Sequence, residues 1–183
     1  MYDYNTSNEL EVTVALVGQS NAGKSTLRLQ SDINRLPEQA DDAFGVKSFD
    51  RLEFYDEFSV RLFICDLPGR EKLRPMTQSY ISNADAVIIM YDITNPNAYK
   101  QTDKIIRDMQ RLKGEEEYWW VLFGNKIDMQ NQRAVGADKM MKLSFKYGIP
   151  LYEGSLRQEL SLDKMFYSLT KQWVDELFEI EDT

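Results

Sequence analysis

The sequence predicts an α/β fold with a mainly parallel sheet, one antiparallel edge strand and helices on both faces. Short apolar runs rich in β-branched residues are typical of strands buried on both faces, and they alternate with stretches of helical spacing. Two neighbouring runs of alternating polarity predict the antiparallel edge. The chain has 183 residues, of which 43% are hydrophobic, and this suits one domain over residues 1–183.

The N-terminal half begins with a predicted strand. The apolar run at residues 12–17 enters a glycine-containing loop, and a helix over residues 24–35 follows, ending before the next proline. The alternating runs at 49–55 and 58–65 meet at Asp56-Glu57, which predicts a hairpin turn.

The C-terminal half continues the alternation of strands and helices. Apolar runs at 86–91 and 119–123 predict two further buried strands. Helical spacing predicts helices over 97–113, 137–147 and 160–178. The first two of these helices are followed by glycine, the residue that most often ends a helix in the left-handed conformation.

Composition and charge exclude several classes of function. The chain has 30 acidic and 22 basic residues and a formal net charge of -8, which disfavours a nonspecific nucleic-acid surface or a polybasic membrane patch. It has no histidine and one cysteine, so a Cys/His zinc site, histidine catalysis and an internal disulfide are excluded. The longest apolar stretch, residues 86–91, is far too short to cross a bilayer, and a soluble cytoplasmic protein is expected.

The segment GQSNAGKS, from Gly18 to Ser25, matches the pattern G-x-x-x-x-G-K-[ST] of a phosphate-binding loop. It lies after a predicted strand and before a predicted helix, as its mechanism requires. Its glycines allow the backbone to curl so that successive amides point inward and form a nest for phosphate oxygens. Lys24 supplies a cation to the β- and γ-phosphates, and the Ser25 hydroxyl is available to Mg²⁺.

A second motif indicates the base of the nucleotide. The run at 119–123 leads into GNKID, which places Asn125, Lys126 and Asp128 at the carboxyl edge of the sheet, where open α/β sheets bind ligands. A carboxylate there accepts two hydrogen bonds from the N1–H and 2-amino groups of guanine, a pair of donors that adenine lacks. The sequence therefore predicts GTP or GDP, with Mg²⁺, as the ligand.

From about residue 11 to residue 178 the chain resembles the Ras superfamily of small GTPases, and most of all its Rab branch. Four motifs stand in the family order: GQSNAGKS, DLPGRE (Asp66 to Glu71), GNKID and EGSLR (Glu153 to Arg157). The run SYISNADAVIIMYDIT also reads like the Rab sequence after the second switch. The resemblance implies a small G domain of the P-loop NTPase class, with a six-stranded sheet and five helices.

The resemblance also implies roles for individual residues. Asn125 and Asp128 would hold the guanine, with the stem of Lys126 along the ring. Ser155 and the Leu156 amide would close over the O6 edge. Ser25 would bind Mg²⁺ directly and Asp66 through water, and the candidate catalytic residues are Lys24, Gly69 and Arg70. The full set implied for nucleotide binding is Gly18, Ser20, Asn21, Ala22, Gly23, Lys24, Ser25, Thr26, Leu36, Asp66, Gly69, Asn125, Lys126, Asp128, Ser155, Leu156 and Arg157.

The first switch departs from the family pattern. In the register set by Phe44-Gly45-Val46, Ala43 replaces the threonine whose hydroxyl binds Mg²⁺ in Rabs. Leu36 stands where the family usually has an aromatic side chain against the guanine, and leucine packs there but stacks less well. GTP is therefore expected to be held loosely by this switch.

The third motif departs as well. Arg70 replaces the glutamine that orients the attacking water, and because arginine has donors but no acceptor, slow intrinsic hydrolysis is expected. Alternatively, Arg70 places its guanidinium on the γ-phosphate as a built-in arginine finger, or it faces solvent or a partner. Pro68 removes an amide just before Gly69, whose own amide usually senses the γ-phosphate, so a stiffer second switch is expected.

The favoured interpretation is a Rab-like small GTPase that switches between GDP and GTP in vesicle traffic. Its implied partners are an exchange factor, an activating protein and protein effectors, without nucleic acid. Membrane association would be indirect or through a tail beyond this chain, which implies a cytoplasmic protein that is peripheral on endomembranes.

Three alternatives stay open. A nucleotide-bound adaptor with little or no catalysis is supported by Ala43 and Arg70. A P-loop kinase or adenine NTPase is opposed by GNKID. The bacterial-style spelling of residues 21–26 suggests a ribosome-associated GTPase, although such proteins usually carry an additional RNA-binding domain.

Overall fold

The computed structural model describes residues 9–31, 46–55, 58–67, 75–113, 119–157 and 159–181. Several sequence predictions lie outside these ranges: the end of the first helix, Leu36, Ala43, the turn at Asp56-Glu57 and the stretch from Pro68 to Arg74.

Strands and helices alternate along the described part of the chain. The strands are β1 (Glu9–Gly18), β2 (Lys47–Tyr55), β3 (Phe58–Asp66), β4 (Ala86–Asp92), β5 (Trp119–Asn125) and β6 (Leu151–Glu153). The helices are α1 (Lys24–Ser31), α2 (Pro75–Ser82), α3 (Ala98–Lys113), α4 (Ala137–Tyr147) and α5 (Glu159–Glu181). A 3-10 helix over Ile127–Gln132 lies between β5 and α4.

The strands form one six-stranded sheet in the order β2-β3-β1-β4-β5-β6. β2 and β3 are antiparallel and pair from Lys47↔Asp66 to Tyr55↔Phe58, and the remaining pairs are parallel. The predicted mainly parallel sheet with one antiparallel edge strand is confirmed.

Alternate residues of the central strands enter two different hydrophobic layers. On one face, Val12, Val14 and Leu16 of β1 pack in a core that includes Leu27 of α1 and Phe166 of α5. The opposite face of the sheet packs against the buried residues of α2, α3 and α4, which include Ile81, Ile106, Met109, Met140 and Leu143. Burial on both faces explains why these strands read as continuous apolar runs, and the prediction of helices on both faces is confirmed.

The long helix α5 crosses the sheet from β2 to β5. Arg51 of β2 lies over the Phe166 ring, 4.3 Å from its centroid, and pairs with Asp163 at 2.8 Å. At the start of β5, Trp119 meets Trp173 edge to face, with ring centroids 6.1 Å apart. Among the described residues, no helix is long and apolar enough to span a membrane.

Apart from α2, for which no residue pattern was identified, two elements had no clear signal in the sequence. β6 has only three residues, too few for an alternating or continuous apolar pattern. The 3-10 helix contains no buried residue, so its sequence shows no apolar period. Both elements lie beside the carboxyl ends of the strands and help to shape the site described next.

Candidate nucleotide-binding site

A cavity of about 580 Å³ opens at the carboxyl edge of the sheet. It lies where the loop after β1 approaches the loops after β5 and β6. Its lining residues are Asn21, Gly23, Lys24, Ser25, Thr26, Asn125, Lys126, Asp128, Met129, Ser155, Leu156 and Arg157. All of them except Met129 are residues that the sequence assigned to nucleotide binding.

The loop after β1 has the backbone conformation that a phosphate nest requires. Asn21 and Gly23 have positive φ angles of 64° and 106°. At Gly18, an added Cβ atom would lie 2.3 Å from the carbonyl oxygen of Met90, so only glycine fits beside β4. The loop then runs directly into α1, whose first residue is Lys24. This arrangement directs backbone N–H groups and a helix N-terminus at one point.

Lys24 and Asp66 place opposite charges at the phosphate end of the cavity. The Lys24 ammonium donates to the carbonyl oxygens of Gly18 and Gln19, at 3.1 Å and 3.0 Å. Burial lowers the pKa of Lys24, against the opposing attraction of Asp66. Burial likewise raises the pKa of Asp66, against the attraction of Lys24. A buried ammonium of this kind is stabilised electrostatically when an anion binds beside it.

The residues predicted to hold Mg²⁺ are close together. The Ser25 hydroxyl lies near Asp66 and, after burial and the nearby cations, contributes a small lowering of the pKa of that carboxyl. Hydroxyl and carboxylate oxygens suit Mg²⁺, which in phosphate sites takes few protein ligands and completes its shell with phosphate and water. The residues present therefore fit this ion. Within the described part of the chain there is no cluster of three or more Asp, Glu, His or Cys that would form a separate cage.

Asn125 joins the two ends of the cavity. Its amide nitrogen donates to the carbonyl oxygen of Ala22 at 2.8 Å, and its amide oxygen accepts from the Leu156 N–H at 3.1 Å. The side chain is 4% exposed. The phosphate loop and the loops after β5 and β6 are therefore held together by one residue at the end of β5.

Asp128 and Ser155 form the opposite end of the cavity. The Ser155 hydroxyl donates to one carboxylate oxygen of Asp128 at 2.7 Å, and Arg157 approaches the other at 3.4 Å. The same hydroxyl accepts from the Arg157 N–H at 3.1 Å. These contacts fix the orientation of the carboxylate, and each of its oxygens keeps a free lone pair for a donor from a ligand.

Residues 13–175 match the family model described as the Ras family. The chain is a member of the Ras family. It is 30% identical over 172 residues to the Ras-related protein Rab-2B of Dictyostelium discoideum, with 94% of this chain and 85% of that protein covered.

Two other proteins, one named Ras-related and one named Ras-like, are also similar to this chain. The Ras-related protein Rab-26 of Rattus norvegicus is 29% identical over 87% of this chain, which spans 62% of that protein's length. The Ras-like protein 1 of Saccharomyces cerevisiae is 26% identical over 91% of this chain and 54% of its own length. A Ras-family domain close to the Rabs is therefore confirmed, and Ras-family proteins in general are GTPases that bind GTP or GDP with Mg²⁺.

In this Ras-family chain, Lys126 has a partner that sequence reasoning missed. Its ammonium lies 2.5 Å from a carboxylate oxygen of Asp92, which ends β4. Burial of Asp92 opposes its ionisation, but hydrogen bonds from Lys126 and Thr94 outweigh burial and lower its pKa below 3.8. Lys126 also has a left-handed backbone, with φ 75°. The ion pair therefore holds the lysine in a conformation that a non-glycine residue adopts only when its surroundings impose it.

A second missed group supports the loop after β6. The Arg133 guanidinium binds both carboxylate oxygens of Glu153, at 2.9 Å and 2.6 Å. The Tyr91 hydroxyl donates to Glu153 at 2.8 Å, and burial together with the Glu153 carboxylate raises the pKa of Tyr91 above its ordinary value of 10.0. An added Cβ atom at Gly124 would lie 2.4 Å from the Tyr91 hydroxyl oxygen, which leaves room for glycine alone. This cluster fixes Glu153, two residues before Ser155.

The remaining predicted site residues fall into two groups. Gly18 and Ala22 are buried beneath the cavity, whereas Ser20 is exposed and does not line it. Leu36, Gly69 and Arg70 lie outside the described residues, as does Ala43.

Proposed function

We propose that this chain is a Rab-like small GTPase that binds GTP and GDP with Mg²⁺ and hydrolyses GTP slowly. The observation that carries the proposal is the cavity in which Asn125 joins the phosphate loop to the loop after β6, beside the Asp128 carboxylate at the base end. A nucleotide has a charged end and a hydrogen-bonding end, and this cavity offers a matching group for each.

The phosphate end is matched by the loop amides, the N-terminus of α1 and Lys24. In the proposed reaction, water attacks the γ-phosphorus and the bond to the β–γ bridging oxygen breaks, which leaves GDP and inorganic phosphate. Lys24 and the loop amides stabilise the charge that develops on the phosphate oxygens. A bound Mg²⁺, held by Ser25 and through water by Asp66, would supply further charge neutralisation.

The base end is matched by Asp128, whose oriented carboxylate accepts from the N1–H and 2-amino groups of guanine. The stem of Lys126 lies along the base, and Ser155 with the Leu156 amide closes over the O6 edge. Leu36 would pack against the other side of the base, as the family resemblance implies. Arg157, which contacts Asp128, completes this end.

The weak step in the proposed cycle is hydrolysis. Ala43 lacks the hydroxyl that would hold Mg²⁺ from the first switch, and Arg70 lacks the acceptor that would orient the attacking water. Gly69 keeps the amide that senses the γ-phosphate. A partner that supplies the missing groups would then control turnover.

The proposed setting is vesicle traffic, and it is supported by the similarity of the chain to Rab proteins. An exchange factor, an activating protein and protein effectors would act on the single G domain, and binding to endomembranes would be through partners. The adaptor alternative is not favoured by the relatives, which are Ras-related proteins.

Nucleotide specificity tests the proposal at the base end. Titration with GDP, GTP and ADP in Mg²⁺ is expected to show guanine nucleotides bound on the order of 10⁴-fold more tightly, because adenine leaves the Asp128 carboxylate unpaired. Asp128→Asn should lose GDP and gain xanthosine diphosphate, whose 2-oxygen accepts where guanine donates. Asp138→Asn, an exposed aspartate on α4, is the matched control and should change neither. Equal affinity for ADP and GDP would favour an adenine NTPase instead.

Single-turnover hydrolysis of GTP tests the catalytic part of the proposal. The wild-type rate constant is expected to be at or below about 10⁻⁴ s⁻¹, the scale of an unassisted small GTPase, and Arg70→Gln should raise it. A fast wild type that Arg70→Ala inactivates would show that slow hydrolysis is wrong and that Arg70 is an internal arginine finger.

A further inference from the structure

Gln19, the second residue of the phosphate loop, has a buried side chain that is tied to helix α3. Its amide nitrogen donates to the Ala98 carbonyl oxygen at 3.1 Å and lies 3.5 Å from the Thr102 hydroxyl oxygen. Its amide oxygen accepts from the Asn95 side chain at 2.7 Å. The residue is 6% exposed, and both ends of its amide are engaged, so the side chain is fixed between the loop and the first turns of α3.

The backbone carbonyl of the same residue belongs to the phosphate end of the cavity. It accepts from the Lys24 ammonium at 3.0 Å and from the Ala22 N–H at 3.2 Å. The carbonyl oxygen of Gly18 holds the ammonium from a second direction, at 3.1 Å. One of the two carbonyls that direct Lys24 is therefore carried by a residue whose side chain is anchored to another element.

Stability alone does not explain an amide at this position. Burial of an amide costs free energy unless its polar atoms are paired, and an apolar residue would fill the same space without that cost. What the amide adds is orientation, since hydrogen bonds at both of its ends restrict the backbone of the loop. The Lys24 ammonium can contact a phosphate only from a narrow range of positions. Supporting hydrogen bonds keep the side chain within that range.

We propose that Gln19 is a positioning residue for the β-phosphate. By tying the phosphate loop to α3 it fixes the carbonyl that directs Lys24, and in this way it increases the preference for a guanosine diphosphate over a monophosphate. The inference rests on the proposed function, because it requires a guanine nucleotide in the cavity.

The ratio of the GMP and GDP dissociation constants tests this inference. Both are measured by displacement of a fluorescent GDP analogue from wild type, Gln19→Ala and Asn95→Ala, together with thermal unfolding. Asn95 lies outside the phosphate loop; its side chain also contacts Gln101 and the Asn97 N–H, and its hydrogen bond to Gln19 connects it to the loop that holds Lys24. Gln110→Ala, an exposed glutamine on α3, is the matched control.

Gln19→Ala is expected to weaken GDP binding about tenfold and GMP binding less than about twofold, the size of effect expected when one or two hydrogen bonds are lost. Asn95→Ala should lower the GMP-to-GDP ratio in the same direction, and the double variant should behave like Gln19→Ala alone because both changes break one connection. Gln110→Ala should leave the ratio unchanged.

Two results would overturn the inference, and they are distinguishable. If wild type binds GDP but the ratio is the same in Gln19→Ala and Asn95→Ala, Gln19 has only a structural part, even if the unfolding temperature falls. If wild type binds no guanine nucleotide, the proposed function is itself wrong and the inference falls with it. Should Gln19→Ala fail to fold, Asn95→Ala decides between the outcomes.

Discussion

At the scale of single residues, Gly23 is the point at which the two ends of the cavity touch. Its φ angle is 106°, in the region that favours glycine. An added Cβ atom would lie 2.3 Å from the Asn125 amide nitrogen and 2.9 Å from Leu156. A side chain here would push apart the loops that Asn125 joins.

A pair of glycine substitutions separates this contact from backbone strain. Gly148 also has a positive φ, 67°, but nothing lies within 4 Å of its added Cβ atom. Gly148→Ala is expected to lower the free energy of unfolding by about 1 kcal/mol and to leave GDP affinity unchanged. Gly23→Ala should weaken GDP binding by about 100-fold or more. Urea unfolding and GDP titration measure the two effects, and equal losses of affinity in both variants would contradict the explanation.

The ion pair between Asp92 and Lys126 predicts a dependence on pH. Because the pKa of Asp92 is lowered on folding, its contribution to stability is present above the ordinary value of 3.8 and is lost as the pH falls below it. Asp92→Asn is expected to lower the free energy of unfolding by about 1 kcal/mol at pH 7. The difference from wild type should shrink as the pH falls below about 4. Urea unfolding at several pH values provides the measurement, and a difference that does not change with pH would exclude ionisation of Asp92 as the cause.

At the scale of elements, β6 owes its place at the edge of the cavity to charge as well as to pairing. It pairs with β5 over only three residue pairs, Leu122↔Leu151 to Gly124↔Glu153. Glu153 at its end is held by Arg133, which follows the 3-10 helix, and by Tyr91 of β4. The loop that carries Ser155 is therefore anchored from two neighbouring elements.

Removal of this anchor should affect both stability and nucleotide binding. Arg133→Ala leaves a largely buried carboxylate without its cation and is expected to lower the free energy of unfolding by about 2 kcal/mol. GDP should also dissociate faster, since Ser155 loses its support. Arg107→Ala breaks an exposed ion pair with Asp103 on α3 and should cost less than about 0.5 kcal/mol, with unchanged GDP dissociation. Urea unfolding and stopped-flow release of labelled GDP compare the two, and similar behaviour would show that the Glu153 pair is dispensable.

At the scale of the whole molecule, a ligand in this cavity touches segments from both halves of the sheet and should stabilise the domain as a unit. GDP at 100 times its dissociation constant is expected to add about 2.7 kcal/mol to the free energy of unfolding. For a domain of this size that raises the unfolding temperature by roughly 5–10 °C. Removal of GDP by gel filtration in the presence of a chelator of Mg²⁺ should reverse the shift, and ADP at the same concentration should produce none. A shift with ADP equal to that with GDP would contradict guanine recognition.

Much of this molecule could be predicted from sequence because its signals are local. The strand at residues 86–91 is fully buried in β4, as its unbroken apolar run requires, and α1 starts at Lys24, within the loop motif. The motifs predicted that Asn125, Asp128 and Ser155 lie close together, since parallel strands bring their carboxyl ends to a common edge. All three residues line the same cavity.

The missed residues share a physical cause. Asp92, Arg133 and Gln19 act through partners far away in the chain, and the identity of a distant partner leaves no periodic or local pattern. Gln19 occupies a free position of the loop motif, and its partners are Asn95, Ala98 and Thr102. The roles of Leu36, Ala43 and Arg70 stay predictions.

The edge-to-face contact of Trp119 with Trp173 has an optical consequence. The chain has three tryptophans, and Trp119 and Trp120 begin β5 while Trp173 packs against the first of them. At about 3.3 Å per residue, the indole groups stand roughly 20 Å from Asn125, at the opposite end of the strand. Intrinsic fluorescence should therefore report the docking of α5 on the sheet and change little when unlabelled nucleotide exchanges.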